Sequence, residues 1–392
     1  MAEEWLDSAE AARRLGVKPA SLYAYASRGQ LRRRPGPDGR RSEYHPADVA
    51  TLAVRGRRSR PMQPTDVVVP TAITAITPGG PTYRGVAAVE LAGKTPFEAV
   101  ADRLWESTHE PDAWGRSVAE VSEPVPASSL AEGGLDAGQH LIAATVGLRG
   151  ADPLGLDLRP SVVVATARRL LVALASSIAG GGPAPGVSIA EVVALSLGED
   201  VGDDTVRAVD AALVLLADHE LAASTLAVRV AASARCDPYA AELAGLAVLS
   251  GPRHGAASRN LEVALAQVAA GAPAGTALAA AAAEASSLRG FGHPLYPDGD
   301  PRAIRLLEIL EAGDLRKRLG PLHAVLEVAD RRGLPPPSID AALAGLTHAI
   351  GAPPGAGEFV FAIARTAGWM AHAIEQYAEP RLLRPKAVYT GR

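Results

Sequence analysis

Three histidines stand where the surrounding sequence pattern breaks: His219 in LADHELAAST, His254 in LSGPRHGAAS and His293 in RGFGHPLYPDGDPRA. The last two adjoin glycines at expected helix ends, where backbone N–H groups are free to meet an anion. Arg302 closes the third stretch behind an Asp-Pro pair. Histidine supplies a proton donor or acceptor near neutral pH, and guanidinium grips carboxylates through paired hydrogen bonds while staying charged. Taken singly, each histidine reads as a structural or solvated residue, and Asp-Pro-Arg as a turn. Taken together they form a set of donors that an anion could meet.

Such a set needs a rigid frame, and the rest of the chain reads as one. From about Thr65 onward, a short β-like start (DVVVPTAITAI) is followed by alanine- and leucine-rich helical segments through Glu379, punctuated by Gly/Pro loops. DDTVRAVDAALVLLADHELAASTLAVRVAAS reads as helix, and TALAAAAAEASS as a surface helix. The first sixty residues differ. Asp7 followed by Glu10 has the form of a capping box opening DSAEAARRLG, and Pro19 opens a second helix, PASLYAYASRG. Pro-Gly-Pro-Asp-Gly between arginine-rich arms predicts a hairpin, PADVATLAV a closing helix, and RGRRSRPMQPTD a linker.

The chain has 392 residues, 48% apolar and 21% charged, with net charge −4, the balance of an ordinary soluble protein of about two domains. Ten arginines between Arg28 and Arg60 face Asp38, Glu43 and Asp48, which suggests a module facing a polyanion. One cysteine, Cys236, excludes an intramolecular disulfide framework and a cysteine-rich zinc site. The acidic start is no signal peptide and no long apolar run is uninterrupted, so a cytoplasmic location without a membrane span is the expectation.

GPRHGAAS followed by GFGHPLYPDGDPR resembles the citrate synthase family. The resemblance continues in order through TYRGVAAVELA, LADHELAASTLAVRVAAS, PSIDAALAG, FAIARTAGWMAHAIEQ and RLLRPKAVYTG, covering roughly residues 66–392. It implies a mainly α, two-lobed, all-helical domain over 61–392, with a small lobe at roughly 215–340 inserted in the large one. It also implies condensation of acetyl-CoA with oxaloacetate and water to citrate and CoA, or of propionyl-CoA to 2-methylcitrate, with no metal and no further cofactor. By similarity Asp340 is the general base, His254 donates to the enol oxygen, and His293 polarises the oxaloacetate carbonyl and helps protonate the new alkoxide. His219, Arg302, Arg365 and Arg384 hold the substrate, and Arg384 reaching across from a partner subunit implies a homodimer.

The sequence departs from the family pattern at Ala256 and Ser258, followed by Arg259, and at Pro294 and Pro297, where relatives often carry cations near the CoA phosphates. Arg253, Arg259 and Arg289 are the candidates to replace that charge. Residues 4–54 resemble the winged helix-turn-helix of the MerR family, giving a domain at 1–60. That resemblance implies DNA contact by Ser21, Tyr23 and Arg28 near the second helix and by Arg40 and Arg41 on the wing. The other reading of this unit is a protein-interaction module with a solvated basic face. With a DNA-binding head, the C-terminal domain could serve as a metabolite sensor rather than an enzyme.

Overall fold

In a computed structural model the chain divides into two compact units, Met1–Pro70 and Thr71–Arg392. The structure describes residues 5–15, 21–22, 25–26, 31–36, 42–46, 48–49, 68–110, 113–115, 117, 136–178, 186–198, 201–251, 254–255, 258–284 and 290–385.

In the first unit, the Ser8–Leu15 helix begins where Asp7 Oδ1 accepts the Glu10 N–H at 2.8 Å, half of the expected capping box. The arginine-rich arms do pair. Arg33–Pro35 runs antiparallel to Ser42–Tyr44, with Arg34 opposite Glu43, and Leu6–Asp7 adds on the far side of Ser42–Tyr44. Ala11, Ala12, Leu22, Leu31, Tyr44 and Val49 form the buried core. Much of the basic charge is answered locally: Glu10 pairs with Arg13 and Arg14, Asp48 with Arg32, and Glu43 with Arg34. Of the proposed DNA contacts, Ser21 is half-buried in a helical stretch, and Tyr23, Arg28, Arg40 and Arg41 lie outside the described residues.

The second unit is helical apart from a small antiparallel sheet, Thr74–Thr77, Gly80–Tyr83 and Val86–Ala87. Its axis is the Ala356–Ala378 helix, apolar on nearly every face and therefore buried on nearly every face. The helices Pro160–Ser176, Asp203–Leu216, Ala223–Ser233 and Pro238–Leu249 pack around it. Close approach requires glycine at two points. A Cβ on Gly245 would stand 2.8 Å from the Trp369 ring, and Gly368 lies against the Ala217 carbonyl, to which its N–H donates at 3.1 Å. A second group of helices, Arg259–Ala269, Ala274–Glu284, Pro301–Ala312, Gly320–Arg331 and Ile339–Ala349, packs mutually and meets Asp203–Leu216 through Pro301–Ala312. No helix among the described residues is long and apolar enough to cross a membrane.

The structure differs from the sequence reading at His219. The segment expected as one helix is two, Asp203–Leu216 and Ala223–Ser233, with Asp218 and His219 in the turn between. The Tyr83 hydroxyl explains the stop: it donates to the Val214 carbonyl at 2.9 Å and accepts from the Asp218 N–H at 3.3 Å, capping the helix end. Glu220 then turns the chain at φ 57°, a left-handed conformation rare for a side chain of its size and held here by Asp218 Oδ2 accepting its N–H at 3.2 Å.

Candidate active site

The loop carrying His293 is built by its glycines and tied to the start of the helix carrying Asp340. Gly290, Gly292 and Gly299 have φ of 93°, 72° and 128°, conformations that favour glycine. The Gly292 N–H donates to the Pro336 carbonyl at 2.8 Å, and the Ser338 N–H to the Gly290 carbonyl at 2.9 Å. Asp300 completes the junction. One oxygen caps the Pro301–Ala312 helix through the Arg302 N–H, and the other accepts the Ile339 N–H at 3.0 Å. The same carboxylate grips Arg302 at both ends, from Nε at 3.0 Å and Nη2 at 2.8 Å. Asp340, half-buried in the first turn of Ile339–Ala349, is thereby fixed relative to His293 and Arg302; the Ser338 hydroxyl donates to it at 3.3 Å.

Two guanidiniums lie at the centre, and both are buried, Arg302 at 3% exposure and Arg365 at 1%. Arg365 spends Nε on the Leu216 carbonyl at 2.9 Å and lies over the Phe361 ring at 4.6 Å. Its terminal nitrogens, and Nη1 of Arg302, make no hydrogen bond among the described residues. Burial pulls Arg365 down to about 10, with Asp218 opposing the fall, so it remains a cation at neutral pH. Burial also works against the Arg302 charge, but the Asp300 carboxylate outweighs it and holds Arg302 above its ordinary value. Asp218, fully buried beside His372 at 3.3 Å, keeps its charge despite burial because His372 and Arg365 stabilise it. Each buried cation thus has its own buried anion nearby.

The histidines surround this pair in neutral form. Burial, then Arg302, Arg365 and His293, drive His219 far below its ordinary value. Burial and Arg365 bring His254 down to about 4, and burial and Arg302 lower His293. A neutral imidazole has one donor and one acceptor nitrogen, so its partners decide what it offers a ligand. His293 Nδ1 accepts the Leu295 N–H at 3.2 Å, which places its proton on Nε2. His254 Nε2 meets the buried Ser224 hydroxyl at 2.7 Å, and its ring is edge-on to Phe361. Uncommitted cationic donors, neutral histidines and one carboxylate make a site for a small dianion beside a group that can take a proton.

Residues 65–386 match the family described as citrate synthase, C-terminal domain. The chain belongs to the citrate synthase family. It is 34% identical over 204 residues to citrate synthase 2 of Bacillus subtilis, covering 50% of this chain and 53% of that protein. It is 29% identical over 192 residues to 2-methylcitrate synthase 1 of Corynebacterium glutamicum, covering 48% of this chain and 50% of that one. The chain thus spans about half the length of these relatives in the aligned region. Among solved structures it resembles the citrate synthase of Thermoplasma acidophilum, seen with carboxymethyl coenzyme A and oxaloacetate, at TM-score 0.70 and 25% identity over 84% of this chain and 95% of that one. The Thermotoga maritima citrate synthase gives TM-score 0.65 at 25% identity, over 84% of this chain and 94% of that one.

Within this citrate synthase fold, His219, His254, His293, Arg302, Asp340 and Arg365 converge through direct contacts or mutual electrostatic influence. Arg384 makes no contact with them among the described residues. It is exposed, next to Leu383, whose N–H donates to Ser233 Oγ at 3.0 Å. Pro294 and Pro297 are exposed on the His293 loop, Ser258 is buried, and Arg253, Ala256 and Arg289 lie outside the described residues. Sequence reasoning passed over Asp218, Ser224, Tyr296, Asp300 and His372. Asp300 alone carried a local signal, the N-cap position before Pro301 and beside Arg302.

Proposed function

We propose that the protein condenses acetyl-CoA with oxaloacetate and water, releasing citrate and CoA. The observation that carries this reading is the pair of buried guanidiniums with unspent donors, flanked by neutral histidines and Asp340. Arg302, Arg365 and His219 take the oxaloacetate dianion. Asp340 removes a proton from the thioester methyl, and His254, kept neutral, donates to the carbonyl oxygen on which the enol(ate) develops. The Nε2 proton of His293 polarises the ketone of oxaloacetate, so the new carbon–carbon bond forms as charge moves onto that oxygen. Protonation there gives citryl-CoA, and water cleaves its thioester to citrate and free thiol. Arg384 supplies a further carboxylate contact from the second subunit of a homodimer.

Thiol release on mixing the full chain with oxaloacetate and an acyl-CoA tests this, and silence with both acetyl- and propionyl-CoA sinks it. Asp340→Asn should retain oxaloacetate binding while turnover falls at least about a hundredfold, the low end of what positioned proton transfer contributes. Surviving turnover would show that Asp340 is not the base. Preference for propionyl-CoA, hence 2-methylcitrate, turns on one methylene and is decided by the ratio of kcat/KM values.

For the first unit, a winged-helix reading is supported by the capped Ser8–Leu15 helix and the Arg33–Pro35/Ser42–Tyr44 hairpin. Several of its described arginines are paired with acids; the residues proposed to contact DNA are Ser21, Tyr23, Arg28, Arg40 and Arg41. A gel shift across a salt series decides it, since phosphate contacts weaken steeply with salt.

A further inference from the structure

We infer that Tyr296 is a positioning residue of this site: its hydroxyl donates to His219 Nε2 and so sets which nitrogen of His219 carries the proton. The role proposed for His219 as a dianion contact rests on the synthase reading; the tautomer itself does not.

Tyr296 is buried at 3% exposure. Its hydroxyl lies 3.0 Å from His219 Nε2 and has no other partner among the described residues. Its ring stacks on His293, centroids 4.9 Å apart at 28°, and the Arg302 guanidinium lies 5.5 Å from its centroid. His219 in turn meets His293 edge-on at 5.4 Å. One side chain therefore touches both histidines and one of the two central cations.

The direction of the Tyr296–His219 bond follows from what each group can do. Burial pushes the phenol up to about 12, so it remains a hydroxyl with one proton to place. If His219 donated from Nε2, the phenol proton would be buried with no acceptor among the described residues. Donation from the phenol satisfies both groups. His219 cannot serve as a cation, because burial and Arg302, Arg365 and His293 all oppose its protonation. It can still serve as a donor if its single proton is on Nδ1, the nitrogen with no partner among the described residues. Tyr296 enforces that arrangement, as the Leu295 N–H enforces the Nε2 proton of His293. Both rings then offer a dianion a hydrogen rather than a lone pair.

Two-bond proton–nitrogen correlation spectra of the ¹⁵N-histidine-labelled full chain at neutral pH, without ligand, read the tautomer directly. The His219 signal is identified by its loss in His219→Asn. The expected result is Nδ1–H for His219 and Nε2–H for His293 in the wild type. In Tyr296→Phe, which keeps the ring, His219 should shift to a mixed or Nε2–H state while His293 is unchanged. Oxaloacetate binding measured by calorimetry should weaken about tenfold, the size expected for one buried hydrogen bond. An Nε2–H tautomer in the wild type overturns the proposal whether or not any variant folds, and so does an unchanged tautomer in Tyr296→Phe. Neither readout needs turnover: a protein with the expected tautomer that releases no thiol leaves the role of Tyr296 standing and removes the synthase reading.

Discussion

Asp300→Asn is the sharpest probe of how the site is held, because the amide matches the carboxylate in shape and removes only charge and acceptors. Asp300 is 1% exposed and serves four groups: the Arg302 N–H at 3.1 Å, Arg302 Nε at 3.0 Å, Arg302 Nη2 at 2.8 Å and the Ile339 N–H at 3.0 Å. An amide has one acceptor oxygen, so its NH2 must face a donor it cannot satisfy. Arg302 is left buried at 3% exposure without its paired anion. Breaking a buried pair from one side costs about 3–5 kcal/mol. At roughly 2 °C per kcal/mol for a domain of this size, Tm should fall by about 6–10 °C. The pH dependence carries a sign. Burial raises the Asp300 pKa, but Arg302 and the N–H donors outweigh it and hold the folded value below the ordinary 3.8. Its contribution is therefore fully present above the unfolded value and is lost only as pH falls through the folded one. The gap between wild type and variant, measured by calorimetric scans at several pH values, should stay constant from about pH 8 to pH 5. A Tm loss under about 2 °C, or a gap that halves across that range, would refute the assignment of Asp300 as an ionised structural partner.

Two further outcomes follow from the same geometry. His219, His254 and His293 all have lowered folded values, so below their unfolded value of about 6.5 each of these rings takes up a proton more readily in the unfolded chain and contributes a loss of stability as pH drops. Glu242, Asp210 and Glu358, raised by burial to about 8, 7 and 7, act in the opposite sense over the same range, so the test is the difference between wild type and His254→Asn. Between about pH 7 and pH 5 the urea midpoint of the wild type should fall relative to that of the variant, and a constant difference contradicts neutral burial of His254. Gly245→Ala would place a methyl 2.8 Å from the Trp369 ring at the centre of the helical unit, and overpacking of this kind costs about 1–3 kcal/mol in denaturant unfolding. An unchanged midpoint would show that the Ala356–Ala378 and Pro238–Leu249 helices separate without penalty.

What was legible in the sequence was local. Asp7 capping the first helix, the pairing of the arginine arms, and the glycines that permit the His293 loop all act within a few residues of themselves. Of the six converging side chains, His219, His254, His293 and Arg302 stand at breaks in the helical pattern, whereas Asp340 and Arg365 were named only through the family resemblance. What could not be read was made by distant partners. The alanine–leucine pattern favours helix through His219, and the turn there is imposed by Tyr83, 135 residues upstream of Asp218. Asp218 finds its partner in His372, and Tyr296 finds His219, only after the helices have packed.

Those long-range partners also answer a question the motif residues alone leave open, namely how two guanidiniums can be buried side by side. Each repels the other, and both lose hydration. The fold meets this with anions from behind: Asp300 on Arg302 through a two-point grip, and Asp218 near Arg365, itself stabilised by His372. The three histidines, held neutral, add no positive charge of their own. The donors left unspent, Nη1 of Arg302 and the terminal nitrogens of Arg365, keep their attraction for an incoming carboxylate without self-repulsion that would expel them from the core. Neutral histidines and paired arginines are therefore two halves of one electrostatic solution. A substitution that charges a histidine should weaken the structure as well as the chemistry.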